Sequence, residues 1–375
     1  MSGEIKVLVT SDLHLGLAES PVSMEIRLRT FQKIISLAME NDILMISGDL
    51  FDAAGVDDLV MKTVNNEFKK LREKGTEILY CPGMAEIRDG AYTPSINNID
   101  ATRVFTQQEA ISPYYYEKDG QMLVIYGAPA LYPFSPDQRL RSDDDGFHLG
   151  LFHVNFNPES SQQNNSDLDA YRMNRNDIKT MGLDFYIFGY NHTFKMFKIQ
   201  DKIIAAYPGS PEAAAMEETG DRYVLSFSII DNAIQNIRRL AVNTITMDSL
   251  VLDCASYSSF YSITAQIEAR KSKKVFLTAT LIGNRNYPID PDTLKKFHGE
   301  FYALRLIDVS TPTMEMFFTV YGHEESVRGE MLRIIKEMIQ NGDIPSGVSD
   351  DNITQIIKHL VAGDSDALEE WLCAT

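Results

Sequence analysis

Three short apolar runs near the start of the chain, Ile5–Thr10, Ile43–Ser47 and residues 78–81, alternate with two segments of helical periodicity. Phe31, Ile34, Ile35 and Ala38, within residues 30–40, fall on one helical face, as do Val60, Met61, Val64, Phe68 and Leu71. This βαβαβ alternation constrains the fold strongly. A strand that returns in the same direction needs a crossover, and a helix lying on the sheet supplies it. Ligands of such sheets gather beyond the carboxyl ends of the strands, so the loops after these three runs are where a site is expected.

Farther along, apolar runs at 122–126, 149–152, 185–188, 203–206 and 223–229 lack long helices between most of them, and a largely antiparallel second sheet is the simplest expectation. The stretch NFNPESSQQNNSD (155–167) and the acidic cluster 142–145 are too polar to bury and are expected as surface loops. After about Asn243 the pattern changes. A strand at 275–281, the turn-rich GNRNYPIDP, a short helix and a strand at 301–307 predict a small α/β module. Val327, Met331, Ile334, Ile335 and Met338 predict one amphipathic helix, and Ile353, Ile356, Ile357 and Leu360 another. The expected division is 1–243, 244–320 and a C-terminal helical tail, 321–375.

Composition excludes several function classes. In 375 residues, 53 acidic side chains outweigh 35 basic ones for a net charge of −18, which opposes the field a DNA-binding protein normally presents. Any contact with DNA is therefore expected to be local or shared with a partner. Cys81, Cys254 and Cys373 are scattered and fit neither a disulfide framework nor a CxxC metal site, so reduced thiols are expected. No apolar run approaches the roughly 20 residues of a membrane helix. Residues 1–4 lack the layout of a signal peptide, and the expected location is cytoplasmic, with no membrane partner.

The first run leads directly into Ser-Asp-Leu-His-Leu-Gly, which places Asp12 and His14 two residues apart in one loop; the second leads into Gly-Asp-Leu-Phe-Asp around Asp49. Two carboxylates at neighbouring strand ends suit a dinuclear hydrolase, in which cations about 3.5–4 Å apart need a bridging oxygen ligand. The plainer reading makes Asp12 and Asp49 turn caps and His14 a solvated histidine. That reading leaves their matched placement unexplained.

Asp12 and His14, GDLFD around Asp49, FGYNH ending on His192 and YPGSP at 207–211, in this order, resemble the calcineurin-like metallophosphoesterases, and specifically the SbcD nuclease branch. The resemblance implies an α/β fold, a two-sheet sandwich flanked by helices with a small α/β capping domain. It implies Mn2+ or Mg2+ and phosphodiester hydrolysis, a tail that docks on an SbcC-type coiled-coil ATPase, DNA as substrate, and a homodimer. By the same resemblance Asp12, His14, Asp49 and His192 hold a first ion, and Asp49 and His153 remain of the set for a second. Met84 stands where the family has an asparagine ligand, Tyr190 where it has a histidine ligand, and Ala85 where it has its acid histidine.

A thioether and a neutral phenol are weak partners for hard, oxygen-preferring cations. One bound ion and impaired or lost turnover are expected, in a structural or regulatory role beside the ATPase. An active nuclease with an atypical second site and a one-metal small-molecule phosphoesterase are the alternatives. Asp52 is expected to orient Asp49 or a loop amide. Glu86 is expected either as a substitute ligand in the space left by Ala85 or as a surface carboxylate. The basic run 270–274 is read as a contact for DNA backbone or as a solvated face, and His148, His298, His323 and His359, without ligand spacing, as structural or exposed.

Overall fold

In the computed structural model, which describes residues 3–52, 56–88, 91–106, 112–128, 130, 139–159, 172–199 and 201–364, the first three runs form β1 (Ile5–Thr10), β2 (Ile43–Ser47) and β3 (Glu77–Cys81). All their residues except Lys6 and Glu77 are buried. Burial on both faces is the mark of an interior parallel strand, and β1–β2 and β2–β3 do pair in parallel. The crossovers are α1 (Met24–Ala38) and α2 (Asp58–Glu73). Helix α1 begins at Met24 rather than at residue 30, because Ser23 Oγ caps it by accepting the Ile26 N–H at 3.4 Å. The buried Arg27 hides this turn from the apolar pattern. Its guanidinium donates to the carbonyls of Leu13 and Ala213 and to Ser20 Oγ, which satisfies the charge inside the protein.

Downstream lie β4 (Arg103–Val104), β5 (Tyr114–Lys118), β6 (Gln121–Ala128), β7 (Phe147–His153), α3 (Arg175–Met181), β8 (Phe185–Gly189), β9 (Lys195–Ile199), β10 (Lys202–Tyr207), β11 (Tyr223–Ile230) and β12 (Ala233–Ala241). Two six-stranded sheets result, ordered β12-β11-β1-β2-β3-β4 and β9-β10-β8-β7-β6-β5. The second sheet departs from the antiparallel expectation. Its interior pairs β6–β7, β7–β8 and β8–β10 are parallel, and its edge pairs β5–β6 and β9–β10 antiparallel. Every residue of β7 is buried, as an interior parallel strand requires. The helix crossing from β7 to β8 is α3, whose seven residues are too few to announce a 3.6-residue period. Strand β11, expected in that sheet, instead lies antiparallel to β1 in the first.

Side-chain alternation along these strands builds three apolar layers. Val7, Val9, Ile43 and Met45 face Ile125, Leu149, Leu151, Phe185 and Ile187 between the sheets. Leu8, Leu44, Ile46 and Ile78 turn to Phe31, Ile34, Phe68 and Leu71 on α1 and α2. Phe152, Tyr186 and Phe188 turn to Ile178 and Met181 of α3. The fold is thus an α/β sandwich of two mixed sheets with helices on its outer faces. Asp143, Asp144 and Asp145 are exposed, as expected. Of the polar stretch 155–167, residues 160–167 lie outside the described residues, as does Cys373; Asn155–Phe156 pair with Arg172–Met173, and Phe156 is buried. Cys81 and Cys254 are buried free thiols.

A unit boundary falls between Met247 and Asp248. In the second unit, β13 (Thr246–Asp253), which starts just before the boundary, joins β14 (Val275–Ile282) and β15 (Ala303–Asp308) in a three-stranded sheet. Helix α4 (Phe260–Glu268) packs on it through Ile263 and Ile267 against Leu277, Ala279 and Leu281. Helices α5 (Met314–Tyr321), α6 (Val327–Asn341) and α7 (Asp350–Ala362) form a separate cluster around Phe317, Leu332, Ile353 and Ile357. Among the described residues no helix is long and apolar enough to cross a membrane.

Phe68 on α2 is fully buried, whereas Leu59 on the same helix is 68% exposed. Phe68→Ala is expected to lower stability by about 3–5 kcal/mol and Leu59→Ala by no more than about 0.5 kcal/mol, read as shifts in urea-unfolding midpoints.

Candidate metal centre

The loops after β1 and β2 meet those after β7 and β8. The Asp12 N–H donates to the Gly48 carbonyl at 3.0 Å. Ser47 Oγ donates to the Phe152 carbonyl at 2.7 Å, and His153 Nδ1 lies 3.1 Å from the Ser47 carbonyl. Gly189 is obligatory at this junction, since a Cβ there would stand 1.6 Å from Ser47 O. Asp12, His14, Asp49 and Tyr190 all adopt positive φ, at 51°, 49°, 49° and 102°. Side chains rarely tolerate this conformation, at a cost of about 1–3 kcal/mol each, and such strain collects at functional sites.

These turns aim the donors inward. Asp49 Oδ2 lies 3.8 Å from His14 Nε2 and 3.3 Å from His153 Nε2, while Asp49 Oδ1 accepts the Ala85 N–H at 2.8 Å. Asp12 accepts the Tyr190 N–H at 3.0 Å. His14 Nε2 and His192 Nε2 are 3.2 Å apart. Two overlapping trios follow, Asp12–His14–His192 and Asp12–Asp49–His153, each with its donor atoms within 4.8 Å of one another. A carbonyl can only accept, so His153 Nδ1 carries the proton that bonds to Ser47. Its Nε2 therefore faces Asp49 without a formed hydrogen bond, and His14 Nδ1 is likewise buried without one. Imidazole nitrogens converging with the carboxylates of Asp12 and Asp49 fit a divalent cation, and the mixed nitrogen and oxygen set suits first-row ions.

Electrostatics points the same way. Burial pushes the Asp49 carboxyl up, but His153 and His14 outweigh it and hold the group at about 2. Burial alone would lower His153; the Asp49 charge raises it to about 9. His192 is opposed by burial yet ends up raised, chiefly by its hydrogen bond to Glu218. Without an ion, a proton on His153 balances Asp49. A cation bound to Asp49 would take over that balance.

The structure thus gathers Asp12, His14, Asp49, His153 and His192. The Asp52 carboxylate stands 3.8 Å from His14 Nδ1. Glu86 is not a surface carboxylate, one of its two expected roles. The short turn Met84–Glu86 points it inward, where it is fully buried and accepts from the N–H groups of Gly83 (2.8 Å) and Phe51 (2.9 Å) and from Tyr80 Oη. Burial first, then the Asp49 charge, raises it to about 8. Met84 and Ala85 are half-buried in the same turn, and the Tyr190 ring stands edge-on to His153 with centroids 6.0 Å apart.

His148 is fully buried between Tyr126 Oη and the Asp144 carbonyl, a structural role; His298 and His323 are exposed, and His359 is half-buried. In the basic run, Arg270 is held by both oxygens of Asp248 at 2.9 Å, and Lys271 is 3.7 Å from Glu300. Two residues escaped the sequence reading: Glu218, bound to His192 Nδ1 at 2.6 Å, and Arg222, bound to Glu218 at 2.9 Å. Their four-residue spacing was the available signal, and it is a common one.

The sandwich and its donor cluster are consistent with the metallophosphoesterase class. No family model matches the chain. A protein of Bacillus subtilis (strain 168) described as "uncharacterized metallophosphoesterase YhaO" is 24% identical over 239 residues, covering 59% of this chain and 57% of that protein. The chain therefore spans less than two thirds of the relative's length.

The Asp49–His153 pair makes metal-free stability pH-dependent. The folded pKa of His153 is raised above its ordinary 6.5, so its contribution is full below 6.5 and is lost as the pH rises through about 9. Asp49, depressed from 3.8, loses its contribution as the pH falls toward about 2. Thermal melts in chelator are expected to show the wild type losing stability across the upper window. His153→Gln should show a flatter profile there.

Proposed function

We propose that this chain is an SbcD-like metallophosphoesterase homologue that binds one divalent cation at Asp12, His14, Asp49 and His192, with phosphodiester hydrolysis impaired or lost. The observation that carries this reading is the asymmetry of the centre. Ala85 meets Asp49 only through its N–H and Tyr190 meets His153 only through its ring, and Met84, at the position where the resemblance implies an asparagine ligand, has a thioether.

A bound divalent ion polarises a phosphoryl oxygen and lowers the pKa of water. Asp12 and Asp49 are aimed by the amides of Tyr190 and Ala85, His14 by the loop it sits in, and His192 by Glu218 on its Nδ1. Ala85 has no proton to give a leaving group. Absence of a positioned acid costs about 10²–10⁴ in rate. The name carried by the Bacillus relative supports the phosphoesterase part of the reading.

In this proposal the protein serves an SbcC-type coiled-coil ATPase as a structural or regulatory subunit. Val327, Met331 and Ile334 support it, since they are 78%, 40% and 48% exposed on α6 at a spacing that forms one apolar stripe. The acidic partners of Arg270 and Lys271 weaken a DNA-contact role for the basic run. A weak second ion on Asp49 and His153, supporting slow turnover, is the rival reading that His153 Nε2, buried 3.3 Å from Asp49 Oδ2, favours.

Hydrolysis of bis(p-nitrophenyl) phosphate with Mn2+ decides between them. The wild type is expected to be near background, and the triple variant Met84→Asn, Ala85→His, Tyr190→His to gain about 10²–10⁴-fold. Wild-type turnover clearly above background that Asp49→Ala abolishes would establish the rival.

A further inference from the structure

The His192 side chain is braced by a carboxylate that lies outside the motifs. Its Nδ1 is 2.6 Å from Glu218 Oε1. An ionised carboxylate only accepts, so Nδ1 carries the proton and the Nε2 lone pair is left facing His14 Nε2 at 3.2 Å. The other oxygen, Glu218 Oε2, accepts from Ser210 Oγ at 3.0 Å, the Ala214 N–H at 3.1 Å and Arg222 Nη2 at 2.9 Å.

Arg222 is itself buried, 6% exposed, and donates from Nε to the Ser210 carbonyl at 3.1 Å, from Nη2 to Ser210 Oγ at 2.6 Å and to the carbonyl of His192. One guanidinium thus grips the backbone of the histidine and the carboxylate that orients its ring.

We propose that Glu218 is a positioning residue for His192, fixing its tautomer and ring orientation so that Nε2 is presented to the cation, with Arg222 as the anchor of Glu218. The proposal rests on the reading that His192 ligates an ion. A purely structural ion pair would leave Glu218 turned wholly toward Arg222, whereas Oε1 is directed at the imidazole. A carboxylate on the far nitrogen also makes the ligand more basic, and removal of such partners typically weakens metal affinity about 10–100-fold. The effect weighs more where Met84 and Tyr190 leave the first position to carry the affinity.

The test uses the full chain and Mn2+ alone. Calorimetric titration is expected to show Glu218→Ala binding Mn2+ about 10–100-fold more weakly than wild type. Glu218→Gln, which keeps an acceptor oxygen but loses the charge, should fall between them. Long-range proton–nitrogen NMR of metal-free, histidine-labelled protein, recorded where the imidazoles are neutral and assigned with His192→Ala, reads the tautomer directly. His192 should carry its proton on Nδ1 in wild type and Glu218→Gln, and lose that preference in Glu218→Ala.

A wild-type tautomer in Glu218→Ala overturns the proposal, as does unchanged Mn2+ affinity. If Glu218→Ala fails to fold, wild-type affinity in Glu218→Gln overturns it. Wild-type protein that takes up no Mn2+ contradicts the one-ion reading instead, and the tautomer then decides the role of Glu218 alone.

Discussion

The hydrogen bond from His153 Nδ1 to the Ser47 carbonyl, 3.1 Å long, ties the end of one sheet to the end of the other, and the candidate centre depends on it. It fixes which imidazole nitrogen is left to face Asp49, two residues beyond Ser47. Ser47 reciprocates through its hydroxyl to the Phe152 carbonyl. Gly189 lets β8 approach this point with no side chain in the way. Four loops from two sheets therefore share one origin, held by the apolar layer between the sheets.

That layer also bears the cost of the site. Four residues at positive φ and several buried charges are unfavourable by themselves. The carboxyl groups divide the burden. Asp49, between imidazoles, stays ionised at about 2, while Glu86, boxed in by Tyr80 and two backbone amides, is raised to about 8. Two carboxylates in such proximity do not both keep a charge unless cations accompany both. The imidazoles accompany Asp49, while burial and the Asp49 charge push Glu86 toward its neutral form, in which it braces the loop through Gly83 and Phe51.

Much of this was legible in the sequence, because its causes are local. β1 and β2 fall on the residues their apolar runs mark, and the loops after them carry Asp12, His14 and Asp49 to one place. What escaped depends on distant partners. The seven-residue α3 gave no period strong enough to reveal parallel pairing in the second sheet, and nothing in Tyr223–Ile230 says that its neighbour is β1. Glu86 and Glu218 look like ordinary loop acids in a chain with 53 acidic residues, and only the fold turns one under the Asp49 loop and the other onto His192. Arg27 misled in the opposite sense, as a charge inside a buried helical face.

The proposed function requires a centre that is complete on one side and dismantled on the other. Counting Mn per chain by native mass spectrometry, with anomalous diffraction at the Mn edge to place the ions, tests it most directly. The account predicts one ion, bound among Asp12, His14, Asp49 and His192; two ions with the second on His153, or none at saturating Mn2+, would contradict it.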